Sequence, residues 1–145
     1  MKKYELTSET KIVFGHILYR IKALSSFGCV SAGDLGGFLE SEKNLSQNGN
    51  AWVFGNAEVY GNAEVSKIGS IFWIGAVGSR NDTATFFRCT DGVIRVTCGC
   101  FFGNLDEFAK KVRKTHGDND HAKVYMLAID MAKIRISTEK EKTEE

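Results

Sequence analysis

No apolar run in this 145-residue sequence approaches the roughly 18 residues that a membrane-spanning helix requires. The N-terminus, MKKYELTSETK, has two lysines but no apolar stretch behind them, so it does not read as a secretory signal. Charge of one sign is missing as well. The formal net charge is +1, so no global field draws the chain to nucleic acid or to an acidic membrane. One local basic run, Lys110, Lys111, Arg113 and Lys114, follows Asp106 and Glu107 and reads as the solvated face of a helix. The four cysteines, Cys29, Cys89, Cys98 and Cys100, are expected as reduced thiols of a cytoplasmic protein rather than as a disulfide framework.

Against those absences stands one insistent pattern. The stretch Asn50 to Val65 reads NAWVFGNAEVYGNAEV, a six-residue phrase that returns almost unchanged. With Asn50 as position one, asparagine occupies that position at Asn44, Asn56 and Asn62, and isoleucine at Ile68 and Ile74. Position two is small at Ala51, Ala57, Ala63, Gly69 and Gly75, and position four is aliphatic at Val53, Val59, Val65, Ile71 and Val77. Position six is glycine at Gly49, Gly55 and Gly61. A short fixed period marks units that bury an apolar face only by stacking on their neighbours. Position four is expected to point inward, position two to lie close to the axis, and glycine and asparagine to turn the corners. Five inward aliphatics at about 1.5–3 kcal/mol each do not offset an ordering cost of about 1–2 kcal/mol per residue, so the array needs caps or partner subunits.

The flanks read more conventionally. KIVFG (11–15) and ILYRIKAL (17–24) predict two strands about a turn at Gly15-His16, and Gly33, Gly36 and Gly37 predict a tight entry into the repeats. TATFFRC (83–89) and VIRVTCGC (93–100) predict a second hairpin about Asp91-Gly92. Asn104 with Glu107 makes a capping box for a helix ending near His116-Gly117, and a second helix starts after Asp118 or Asn119. On that second helix Ala122, Tyr125, Ile129, Ala132 and Ile136 form one apolar stripe, and Val124, Leu127 and Met131 another, one of which a partner subunit could cover. The charged tail, 137–145, is expected to be disordered.

The hexads resemble those of left-handed β-helix proteins, in which three hexads make one triangular coil. The whole chain resembles a group of small proteins encoded by phages and prophages. The resemblance rests on YELT, GHILYRIKAL, GDLGGFLESEKNLS, the GNAxV array, GCFFGNLDEF and THGDN. It implies an α+β fold with a short left-handed parallel β-helix of about two coils, preceded by a β-hairpin and followed by a ββαα module. The expected divisions are an N-terminal hairpin and cap (1–43), the β-helix (44–79), the ββαα module (80–136) and the tail. Open coil ends and flat outer faces predict homo-oligomerisation as a trimer or dimer, and the resemblance implies an accessory role in a bacterial host cell that interferes with host processes, nucleotide-signalled defence among them.

Function is sought at the exit of the array. In GSRNDTATFFR (78–88), Ser79 and Arg80 can present backbone N–H groups and a guanidinium to an anion, and Thr83, Thr85, Arg88 and Arg95 continue along a hairpin among the aromatics Phe86 and Phe101. His116, in the loop HGDND, adds a second anion-facing element at a helix start. Together these residues predict non-enzymatic binding of a small, nucleotide-like, phosphate-bearing ligand, with no cofactor or metal and with neither nucleic acid nor membrane as partner. The competing reading is an ordinary linker turn and core hairpin. Two other functions compete with binding: a module that inhibits a host defence protein through exposed Trp52, Phe54 and Tyr60, and an acyltransferase. The latter calls for a histidine at the coils, and none of His16, His116 and His121 lies in the hexads. Cys98-Gly-Cys100 with His116 and His121 is a weak zinc pattern, better read as buried thiols.

Overall fold

A computed structural model describes residues 2–99 and 101–136. The expected disordered tail and Cys100 lie outside the described residues. The chain divides into two compact units, Met1–Ile68 and Gly69–Glu145, so the boundary falls inside the array as read from sequence. Among the described residues no helix is long and apolar enough to cross a membrane.

The first unit is one four-stranded sheet in the order β1 (Tyr4–Val13), β2 (His16–Ala23), β3 (Leu35–Leu39), β4 (Glu58–Val59). β1 and β2 form the expected hairpin, with Phe14 and Gly15 both at positive φ in its turn. β2 pairs antiparallel with β3, and β3 pairs parallel with the two-residue β4. A 3-10 turn, Glu42–Asn44, is closed by a reciprocal capping box between Ser41 and Asn44.

The expected left-handed β-helix is not present; the fold is α+β, built on two four-stranded sheets. Between 44 and 65 the only strand is Glu58–Val59, and parallel pairing there is limited to β3–β4 and a bridge from Leu45 to Val65. The sequence explains where the array fails. Gly49, Gly55 and Gly61 all take positive φ and turn the chain, but the next position-six residues are Lys67, Trp73 and Ser79. Side chains resist that left-handed conformation. After a 3-10 turn at Ile68–Ser70 the chain therefore runs out into an extended strand, Ile71–Val77, that pairs antiparallel with its successor, Asp82–Arg88.

The burial expected of the repeat does hold where the glycines are. Ala51, Val53, Ala57, Val59, Ala63 and Val65 are all buried. Trp52 and Tyr60 are 2% and 1% exposed, so they are core residues and not the exposed anchors expected from the sequence. Trp52 meets Tyr4 and Phe27 edge-on at 6.3 and 5.4 Å between ring centroids, and Tyr60 stacks on His16 at 4.8 Å. Phe54 is half-buried.

Polar side chains tie the repeat to the sheet. Gln47 acts as a substitute strand: its Oε1 accepts the N–H groups of Lys3 and Tyr4 at 2.7 and 3.2 Å, and its Nε2 donates to the Tyr4 carbonyl. Lys3 is 6% exposed, and its ammonium donates to the Ala51 and Gly49 carbonyls and lies 4.6 Å from the Phe27 ring centroid. Burial pushes its pKa down. His16 Nδ1 meets Glu40 Oε2 at 2.7 Å, and Glu40 Oε1 accepts the Gly61 N–H at 3.0 Å.

Burial pushes the Glu40 carboxyl up, but the His16 hydrogen bond, the Gly61 N–H and the His16 charge outweigh it and hold the group below its ordinary 4.5. A carboxylate lowered in the folded state stabilises the fold fully above its unfolded value. That contribution is lost as pH falls through the lower folded value. The urea midpoint should therefore fall below pH 4.5, and Glu40→Gln should flatten that part of the profile. An unchanged slope in Glu40→Gln would remove the assignment.

The second unit is an antiparallel sheet in the order β5 (Ile71–Val77), β6 (Asp82–Arg88), β7 (Ile94–Cys98), β8 (Phe101–Asn104), followed by α1 (Leu105–His116) and α2 (Asp120–Arg135). The β6–β7 hairpin turns at Asp91-Gly92 as expected, whereas β5 and β8 extend the predicted ββαα module to four strands. Asn104 and Glu107 exchange side-chain-to-backbone bonds at 2.8 Å each at the start of α1. One sheet face, with Ala84, Phe86, Ile94 and Val96, packs on Phe108 and Val112 of α1 and on Ala122, Tyr125, Ala128, Ile129 and Ala132 of α2.

Candidate functional site

The residues singled out from the sequence separate into two groups at opposite ends of β6. Ser79 and Arg80 are exposed in the β5–β6 turn, which joins the pair Val77–Asp82. Arg88 ends the strand, seven residues in all at about 3.3 Å each, which puts it roughly 20 Å from that turn. There Arg88 Nη2 donates to Ser70 Oγ at 3.2 Å. Arg95 forks onto both carboxylate oxygens of Asp91 at 3.0 Å, an arrangement that holds its guanidinium firmly charged and Asp91 below the usual carboxylate range. Arg88 and Arg95 thus do not converge with Arg80 in one chain.

Two aromatic candidates belong to the core. Phe86 is fully buried against Phe108, and Phe101 packs on the same Phe108 ring at 5.1 Å. Thr85 is fully buried, while Thr83 is half-buried beside Gly75. None of these is an open stacking or hydrogen-bonding surface like the turn at Ser79.

What the fold does bring together are the two sequence signals that looked independent. Gly78, at φ +76, lies so close to the Tyr125 ring that a Cβ there would overlap Oη and sit 2.9 Å from Cζ. The same ring stacks on His116, at 5.8 Å and 24°, and His116 lies 5.3 Å from His121. The Gly78–Asn81 turn and the α1–α2 connection therefore meet on Tyr125. Local chemistry shapes both. Asn81 takes φ +56 and donates its N–H to the Gly78 carbonyl at 3.3 Å, closing the four-residue turn. Gly117, at φ +64, ends α1 by donating to the Arg113 carbonyl, and Asn119 caps α2 by accepting the Ala122 N–H.

Tyr125 is the residue that sequence reasoning places only in an apolar stripe. Its hydroxyl faces Cys98 Sγ at 3.8 Å. Burial first, then Cys98 and the charge of Asp82, raise its pKa well above the ordinary phenol value, so it remains protonated at neutral pH. Asp82 reaches the same end of the sheet, its Oδ2 3.0 Å from where a Gly99 Cβ would stand. The cluster thus offers a guanidinium and a serine on an exposed turn, the half-buried imidazole of His116 and a carboxylate, while Tyr125, 7% exposed, is the buried post on which they meet. The available signal in the sequence was a polar-tipped tyrosine within an otherwise apolar stripe.

Of the three histidines, His16 is the one that lies on the repeat, through its stack on Tyr60; His116 and His121 belong to the second unit. No protein-family profile matches the chain, and no curated protein matches it.

Proposed function

We propose that this protein is a non-enzymatic, oligomeric binder that sequesters a small nucleotide-like, phosphate-bearing signal molecule in the cytoplasm. The observation that carries the reading is the meeting of the Ser79–Arg80 turn and the His116–Asn119 connection on Tyr125. A planar guanidinium on a hydroxyl-bearing turn suits a phosphate, and the adjoining half-buried imidazole of His116 suits a base. The resemblance to phage and prophage proteins supplies the setting, in which removing such a signal counters host defence.

The test is native mass spectrometry of protein purified gently from bacterial cells, before and after denaturation. A small mass released intact on unfolding is the expected result. Arg80→Ala should weaken binding about 10- to 150-fold, as loss of a charged hydrogen-bond donor implies, and lower the retained mass accordingly. A protein that stays bare after exposure to mixtures of nucleotides and cyclic nucleotides would defeat the reading.

One observation favours the second reading, a module that docks on a host defence protein. Ile12, Phe14 and Ile17 are 72%, 61% and 48% exposed at the tip of the β1–β2 hairpin, with Phe14 in the left-handed region at φ +51. A bulky residue there is a backbone outlier. Phe14→Asn would relax the turn yet abolish such a complex, while leaving small-molecule binding at Arg80 untouched.

A further inference from the structure

α2 carries apolar side chains on two faces. Ala122, Tyr125, Ala128, Ile129 and Ala132 are buried in their own unit. Val124, Leu127, Met131 and Ile134 are 41%, 61%, 41% and 86% exposed. At 3.6 residues per turn these four fall within a sector roughly 80° wide, centred about 145° from the buried face. Their spacing is 3, 4, 3, so that Val124 and Met131 repeat after seven residues, as do Leu127 and Ile134. That is the a/d seam of a two-heptad coiled coil, and its first heptad, with Val124 at a and Leu127 at d, has the pairing that favours two strands.

The flanking charges choose the orientation. Lys123 and Asp130 border the seam on one side, at g positions, and Ala128 and Arg135 on the other, at e positions. In a parallel pair each g residue meets the e residue five places further along the other helix. Asp130 then faces the second copy's residue 135, an arginine, twice by symmetry. In an antiparallel pair with the same core layers, Asp130 would face its own copy across the dyad. Among the described residues neither Asp130 nor Arg135 is engaged in an ion pair within its own chain.

We propose that α2 packs against α2 of a second copy as a parallel two-helix seam. The inference deepens the oligomeric part of the proposed function and does not depend on what binds at Arg80. Four side chains per copy make a small interface, so dissociation in the micromolar range, about 1–100 µM, is expected from the seam alone.

Sedimentation velocity on the full chain across that concentration range tests it. The expected result is a monomer–dimer equilibrium that Leu127→Glu shifts to monomer with an unchanged far-UV circular dichroism spectrum, since Leu127 is exposed. Asp130→Arg and Arg135→Asp should each weaken the dimer about tenfold, and the double variant should restore it. Val124→Cys, in a Cys29→Ser background, should cross-link readily, because equivalent a positions touch in a parallel pair. A strictly monomeric chain, a trimer, a dimer indifferent to Leu127→Glu, or an Asp130→Asn variant that tightens association would each overturn the parallel seam. Nucleotide binding measured on the Leu127→Glu monomer keeps this outcome separate from that of the ligand reading.

Discussion

Gly37→Ala is expected to destabilise the first unit by about 3 kcal/mol or more, beyond the usual cost of an extra core methyl group. A Cβ at Gly37 would stand 2.5 Å from the Ala57 carbonyl oxygen and 2.8 Å from Val53 Cγ1. The first of these is backbone, and it is also the acceptor for the Phe38 N–H. It cannot retreat without opening the parallel pairing of β3 and β4. Gly36 is hemmed in the same way, by the Val53 carbonyl and the Trp52 ring. Gly49→Ala is the useful control. That glycine has φ +74 but open space around its missing Cβ, so only the left-handed penalty of about 1–2 kcal/mol applies. Urea unfolding followed by circular dichroism gives both values. If Gly37→Ala costs no more than Gly49→Ala, the close approach of β3 to the repeat is not what holds this unit together.

Gly78→Ala should combine both penalties at the candidate site. Its φ of +76 disfavours a side chain, and its Cβ would run into the Tyr125 ring. A loss of about 3 kcal/mol in the second unit is expected, together with displacement of Ser79 and Arg80 from the α1–α2 connection. Tyr125→Phe removes the overlapping Oη but leaves the ring carbons. The double variant Gly78→Ala/Tyr125→Phe should therefore recover part of the loss and show a coupling of about 1 kcal/mol in a double-mutant cycle. Strictly additive effects would mean that the turn and the tyrosine do not constrain each other.

Local chemistry makes much of this fold legible. The turn at Gly15, the Asp91-Gly92 hairpin, the Asn104–Glu107 capping box and the buried stripe Ala122, Tyr125, Ile129, Ala132 each arise from residues within a few places of one another. The β-helix expectation fails because the six-residue spacing outlasts its corner glycines. Ile71 and Val77 keep the rhythm, but a strand alternating along Ile71–Val77 produces that spacing by coincidence. Trp52 and Tyr60 depart from expectation for a different reason. What buries them are Tyr4, Phe27 and His16, residues 25 to 48 places away, and nothing in the repeat announces those contacts. The site is half visible in the sequence. Both of its loops stand out there, yet strand continuity joins the first to Arg88 and Arg95, whereas the fold joins it to His116 through Tyr125.

The side chain of Gln47 has a consequence for behaviour in crowded solution. β1 is the edge of its sheet, and edges recruit stray chains through unsatisfied main-chain donors and acceptors. At Lys3 and Tyr4 those valences are consumed by a single carboxamide, so a foreign strand arriving there finds nothing to zip onto. Gln47→Leu would keep the bulk and reopen those two residues to a passing strand, which a faster rise in thioflavin-T-positive aggregate than in the parent chain would show.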